Sequence, residues 1–282
     1  MSLRLLVLDA YDDAGRRALQ SAGATHAGDL YRRLLTDLEP TAHIDVANHC
    51  EHGFELPADL SSYDGITWTG SNLTIHLETP GVRRQLELAR AAFAAGVPSF
   101  GSCWAVHIAV TAAGGRCEAN PRGREFGVAR KIILNATGIE HPMFAGKPVA
   151  FDALTSHEDH VVEVGPATTV LAGNEFSAVQ AVHVEHGRGS FWAVQYHPEY
   201  DLIDIAQLGI LRAPQLIDQG FFRDAAGADH YLAQMTQLHA DRSRKDLLYG
   251  LGVGADVLEP GIRRCEPRNW LDRIVKPARA SR

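Results

Sequence analysis

The chain has 282 residues, 45% hydrophobic and 22% charged, with 27 Lys and Arg against 34 Asp and Glu for a net charge of −7. These proportions belong to a folded globular chain and exclude disorder or low complexity as its main character. An acidic balance without a basic stripe speaks against nucleic acid as the main partner, and no apolar run reaches the roughly 20 residues that span a bilayer.

The opening segment, Met1 to Asp9, has too short an apolar stretch for a signal peptide and reads as a first buried strand over Leu3 to Leu8. Asp29 to Leu38 spaces its apolar residues as an amphipathic helix does, and His43 to Ala47 alternates like a strand. Tyr63 to Gly70 reads as a strand that ends in a glycine turn. Val82 to Ala95 is a helix closed by Gly96, and Val97 to Gly101 is a short strand. Trp104 to Ala113 is helical again until Gly114-Gly115. Short apolar runs that alternate with helices imply βαβ units on a parallel sheet.

From Val128 to Gln195 the texture is β-rich, with Lys131 to Leu134, Thr169 to Ala172 and Ser190 to Gln195 as its runs. An antiparallel or mixed extension of the sheet is expected there. After Tyr200 the pattern becomes helical and charged, over Leu202 to Gln219, Asp229 to Leu248 and Pro267 to Val275. The expected architecture is thus α/β: a mostly parallel central sheet with flanking helices over residues 1–200, followed by an α-helical C-terminal extension over 201–282.

Four cysteines, Cys50, Cys103, Cys117 and Cys265, are too few and too scattered for a disulfide framework. A reduced, cytoplasmic protein is expected, in which any functional cysteine acts as a single thiol. Cys103 stands out. A strand runs straight into Gly101-Ser-Cys103-Trp-Ala105 and then into a helix, the layout of a nucleophile elbow with Cys in place of Ser. Small flanking residues suit so tight a turn, and the helix N-terminus favours the thiolate. A buried core cysteine at a strand–helix junction is the competing reading.

A second segment, Trp192 to Tyr200, sets His197 at the end of an apolar strand with Glu199 two residues on. In extended chain both side chains leave on one side, so the carboxylate can orient the imidazole and support its charged form.

With these residues the sequence resembles the class I, triad-type glutamine amidotransferases, and is most similar to the free-standing GMP-synthase-like members. The resemblance rests on Gly101 to His107, Gln195-Tyr-His197-Pro-Glu199, Tyr63 to Ser71 and Asn120 to Gly127, and it covers about residues 1–200. It implies Cys103 as nucleophile, His197 as base and Glu199 as its orienting carboxylate, with backbone N–H groups at Gly70 and Trp104 forming an oxyanion hole. It also implies that a loop at Thr155-Ser156-His157 helps to hold the glutamine head group. The family elbow reads Gly-x-Cys-x-Gly-x-Gln, whereas Ala105 and His107 stand at its last two fixed positions here. His107, four residues after Cys103 on a helix, faces the same side and is the candidate substrate-binding residue in the place of the family glutamine.

The expected chemistry is cysteine-dependent hydrolysis of glutamine or a related γ-glutamyl amide through a γ-glutamyl thioester, with no metal or cofactor. The ammonia would pass to a separate synthetase or ligase, since the chain carries no Gly-x-x-x-x-Gly-Lys phosphate loop. A stand-alone γ-glutamyl hydrolase and a catalytically altered regulatory subunit are the alternatives. His49-Cys50-Glu51-His52 reads as a polar surface loop rather than a zinc site, and His157 to His160 as a loop near the pocket. His183 and His186 are expected exposed about a hairpin, and Arg242, Arg244, Lys245, Arg263 and Arg264 as a solvated face.

Overall fold

In the computed structural model, residues 2–50 and 59–281 are described. Among the described residues there are eleven strands: β1 (Arg4–Asp9), β2 (His43–Asn48), β3 (Gly65–Trp68), β4 (Ser99–Ser102), β5 (Arg116–Ala119), β6 (Glu125–Leu134), β7 (Ala150–His157), β8 (Asp159–Glu163), β9 (Thr168–Gly173), β10 (Ala181–His186) and β11 (Gly189–Val194). Nine form one sheet in the order β2-β1-β3-β4-β11-β10-β9-β6-β7, and β5 pairs with β8 alone. From β2 to β11 the pairings are parallel. From β11 to β7 they are antiparallel, so the β-rich stretch extends the sheet as its texture implies.

Alternation along each parallel strand divides two cores across the sheet. Leu6, Leu8, Phe191 and Ala193 face one cluster, under helices Pro80–Ala95 and Trp104–Ala112. Leu5, Val7, Trp192 and Val194 face the other, against Tyr31 and Leu34 of helix Ala27–Leu38. Pro80 opens its helix two residues before the expected start at Val82, and Gly96 in the left-handed region (φ 71°) closes it as the sequence implies.

The helices after residue 200 pack on this framework. Leu202–Asp218 and Ala225–Ala240 bury Ile205, Leu208, Leu232 and Met235 against Tyr11, Leu30, Phe126 and Leu154. Trp270, Leu271 and Val275 join the core beneath β1 and β11. Two boundaries differ from the sequence reading. The run Asp229 to Leu248 breaks between Ala240 and Lys245, where the Asp241 carboxylate accepts from the N–H and hydroxyl of Ser243 and turns the chain. The terminal helical stretch is longer than Pro267 to Val275, running from Cys265 to Ala280 through a wide turn over Leu271–Val275.

Arg263 is no part of a solvated face: its side chain is 3% exposed and pairs with Asp201 at 2.6 Å, while Arg264 reaches Asp37 at 2.8 Å. His183 is half-buried, with its ring nitrogens against His141 (3.1 Å) and the Ser190 hydroxyl (2.9 Å), whereas His186 is exposed at the hairpin. His49 is buried, its ring edge-on to Trp68; Glu51 and His52 of the same motif lie outside the described residues. Among the described residues no helix is long and apolar enough to cross a membrane.

Candidate active site

The site lies where the parallel strands end, the usual position for ligands on such sheets. Cys103 and His197 are 94 residues apart in the chain, and the register of β4 with β11 closes the gap by pairing Gly101 with Ala193 and Ser102 with Val194. The Cys103 N–H continues that ladder, donating to the Val194 carbonyl at 2.7 Å.

Cys103 itself takes φ 53° and ψ −98°, a strained conformation for a non-glycine residue, as expected of an elbow that lifts a side chain out of the sheet. A Cβ added at Gly101 would sit 2.4 Å from both the Ala105 methyl and the Trp68 carbonyl oxygen. The elbow therefore has room for one methyl group between these positions, and Ala105 fills it.

His197 Nδ1 donates to Glu199 Oε1 at 2.7 Å, and the Ser102 hydroxyl donates to the same oxygen at 2.8 Å. Ser102 accepts in turn from the Tyr31 hydroxyl at 2.8 Å. The His197 ring stacks on Tyr200, with centroids 4.0 Å apart and planes 3° from parallel. Burial alone would push the imidazole down, but the Glu199 charge and a hydrogen bond with Cys103 outweigh it and raise His197 to about 9. This neighbourhood favours an imidazolium facing the sulfur at neutral pH.

Gly70 and Trp104 flank the sulfur. A Cβ at Gly70 would lie 3.1 Å from His197 Cε1 and 3.8 Å from Cys103 Cβ, and the Thr69 hydroxyl holds the Gly70 carbonyl at 2.8 Å. Trp104 opens the helix Trp104–Ala112, so its N–H belongs to the first turn, which lacks intrahelical acceptors.

The cleft over Cys103 has a volume of about 360 Å³ and is lined by His107, Ser156 and His157, among others. His107 points into this region as its helix position implies, with Nε2 3.0 Å from Gln195 Oε1. Burial holds its imidazole at about 4, against the opposing pull of the Asp159 charge. Ser156 and His157 are not on a loop; they end strand β7, paired with Phe126 and Glu125 of β6. The Ser156 carbonyl lies 3.7 Å from the Cys103 sulfur. His157 is fully buried, one ring nitrogen on Glu125 (2.8 Å) and the other on the Asp159 carbonyl (2.9 Å), so its side chain is committed to the fold.

Sequence reasoning gave no role to Arg124, Asp159 or Arg212, which border the same cleft, nor to Tyr11, which bonds Arg212. For Arg212 a signal existed: it is the lone cation in the apolar helix from Leu202 to Leu216. Arg124 and Asp159 lie inside segments already noted, Asn120 to Gly127 and His157 to His160, but nothing local marks them out among their polar neighbours.

The fold and this cleft define a glutamine amidotransferase of class I. Residues 65–204 match that family, and the chain belongs to it. Over 284 residues it is 34% identical to a γ-glutamyl-L-1-hydroxyisopropylamide hydrolase of a Pseudomonas species, covering 98% of this chain and 94% of that protein. It is also 36% identical over 112 residues to the glutamine-hydrolysing GMP synthase of Escherichia coli O1:K1, a match spanning 38% of this chain and 21% of that enzyme. A solved glutamine amidotransferase from Thermotoga maritima shares the fold at 15% identity, with a TM-score of 0.66 over 98% of this chain and 99% of that one.

Proposed function

We propose that this protein hydrolyses the side-chain amide of a γ-glutamyl compound and works as a stand-alone γ-glutamyl amide hydrolase. Similarity along nearly the whole chain to a γ-glutamyl amide hydrolase favours this reading over ammonia supply to a synthetase. The observation that carries the chemistry is the buried line from Glu199 through His197 to the strained Cys103.

The Cys103 thiolate attacks the γ-carbonyl carbon, and the developing oxyanion takes hydrogen bonds from the N–H groups of Gly70 and Trp104. As the C–N bond breaks, His197 gives its proton to the leaving nitrogen, and an amine or ammonia departs from the γ-glutamyl thioester. Water then attacks the thioester carbon while His197 takes its proton; the C–S bond breaks, and glutamate and the free thiolate are released. Glu199 keeps the imidazole in the tautomer that faces sulfur, and no step calls on a metal or cofactor. His107 takes the place of the family glutamine beside the substrate.

The test is glutamate release from glutamine and from a panel of γ-glutamyl amides, by the native chain and by Cys103→Ala. Release by the native chain alone supports the reading, and equal rates sink it. The similarity to GMP synthase keeps a second reading, glutaminase for a separate ligase; it predicts that glutamine outcompetes every N-substituted amide.

A further inference from the structure

Two guanidinium groups line the cleft that holds Cys103, those of Arg124 and Arg212. Arg124 has a side chain only 10% exposed and pairs with Glu158, whose other oxygen accepts from Gln219 at 3.1 Å. Arg212 meets no carboxylate among the described residues. It donates from Nη1 to the Ser156 hydroxyl at 3.0 Å and bonds the Tyr11 side chain. Burial first, and then the charge of Arg212, depress Arg124 to about 10, so the two cations feel one another. The tyrosines Tyr11 and Tyr200 do not supply the missing anion, because burial pushes both hydroxyls upward and keeps them neutral.

The cleft thus holds two guanidinium groups and two carboxylates, but Glu158 is taken by Arg124 and Asp159 by His76 and the Ile75 N–H, which leaves Arg212 without an anion. A partly buried guanidinium without a counter-ion is costly, and the cost is offset when a ligand brings an anion to it. Ser156 ties Arg212 to the nucleophile: its hydroxyl holds the guanidinium, and its carbonyl lies 3.7 Å from the Cys103 sulfur. An anion on Arg212 is therefore within one small molecule's length of the reacting carbon.

We propose that Arg212, supported by Arg124, binds a carboxylate of the substrate and so sets which γ-glutamyl amides the enzyme accepts. The carboxylate is either the α-carboxylate of the glutamyl group or one carried by the leaving amine. The inference rests on the γ-glutamyl reading for its ligand class. It also means that a residue after position 200 completes the site, since Arg212 belongs to helix Leu202–Asp218.

Affinity measured by calorimetry in the Cys103→Ala background tests this, because removal of the thiolate eliminates any role of Arg212 in merely stabilising it. Three ligands separate the sources: γ-glutamylglycine with both carboxylates, γ-glutamyl ethylamide with the α-carboxylate, and N-ethyl-4-aminobutanamide with neither. Adding Arg212→Gln is expected to weaken at least one carboxylate-bearing ligand about tenfold or more beyond its effect on the carboxylate-free one. A loss confined to γ-glutamylglycine assigns the leaving amine; a loss shared with γ-glutamyl ethylamide assigns the α-carboxylate. Equal losses for all three ligands, or none, overturn the proposal.

Arg212→Lys keeps the charge without the planar fork and is expected to recover part of the difference. Should Arg212→Gln not fold, a salt titration of Cys103→Ala to about 0.5 M decides instead. The carboxylate-bearing ligands must then weaken more than the carboxylate-free one, whose only charge is its ammonium group, and parallel behaviour overturns the site. If the native chain hydrolyses no γ-glutamyl amide, the hydrolase reading fails, yet these binding differences still decide whether the anion site exists.

Discussion

Tyr196 and His197 are consecutive residues just beyond the end of β11, and each is hydrogen-bonded to a different buried carboxylate. His197 meets Glu199 two residues on and faces Cys103. Tyr196 donates to Glu266, 70 residues on, and Glu266 pairs with Lys147 at 2.9 Å, the two side chains being 0% and 1% exposed. Lys147 also lies 4.5 Å above the Phe151 ring and donates to the Ile262 carbonyl at 3.1 Å. In the proposed mechanism the first carboxylate serves a proton that must move; the second sits in a sealed cluster that fastens the C-terminal helices to the sheet. Similar chemistry on two consecutive residues thus divides by whether the cleft or the core covers it.

The contrast is broken most severely at the cleft. His197→Ala should lower hydrolysis by about 10⁴-fold or more, since nucleophile and base act as a unit. Tyr196→Phe, one residue away, should leave kcat within a few-fold while lowering stability. Steady-state glutamate release on both variants checks the pair, and similar rate losses would erase the distinction.

Next in size is Lys147→Met, expected to destabilise by about 3–5 kcal/mol because it leaves Glu266 charged and buried without its partner. Lys147→Met with Glu266→Leu should regain most of that, as read from denaturant midpoints. If the single variant is as stable as the native chain, the cluster does not fasten the tail.

The two clusters also differ in how far they were legible. Glu199 stands two residues from His197 at the end of a recognisable strand, and Cys103 sits in an elbow with its own spacing, so local pattern sufficed. The parallel strands followed from their apolar runs, and the tail from its helical periodicity. Lys147 and Glu266 meet only because Trp270 and its neighbours dock beneath β11, and no local pattern carries a contact over such a separation. Arg263 read as solvated for the same reason: its partner Asp201 lies 62 residues back. Ser156 and His157 read as a loop because a polar Thr-Ser-His run hides a strand whose pairing partner, β6, supplies the order.

Glu199→Gln comes third and tests the exchangeable side alone. The amide keeps the shape but not the charge that outweighs burial at His197, so kcat/KM should fall by roughly 10²-fold. The His197 imidazole, raised to about 9 in the native chain, should titrate lower, as NMR of the ring would report. An unchanged titration would mean that Glu199 is not what raises it.

The smallest effect separates the two cleft histidines by sign. His197, held near 9 against an ordinary 6.5, contributes stability that is complete below about pH 6.5 and is lost as pH rises through 9. His107 works in reverse. Held near 4, it stays neutral while the unfolded chain takes up a proton below 6.5, so its contribution falls with acid over the window from 6.5 down to 4. At pH 5 that amounts to about 2 kcal/mol, from 1.36 kcal/mol per unit. His107→Gln should remove this share of the acid sensitivity while an amide keeps the bond to Gln195, leaving stability at pH 8 nearly unchanged. Unfolding curves at pH 8 and pH 5 decide it: an identical acid loss in both proteins would place the sensitivity at His49 and His141, which burial also holds near 4.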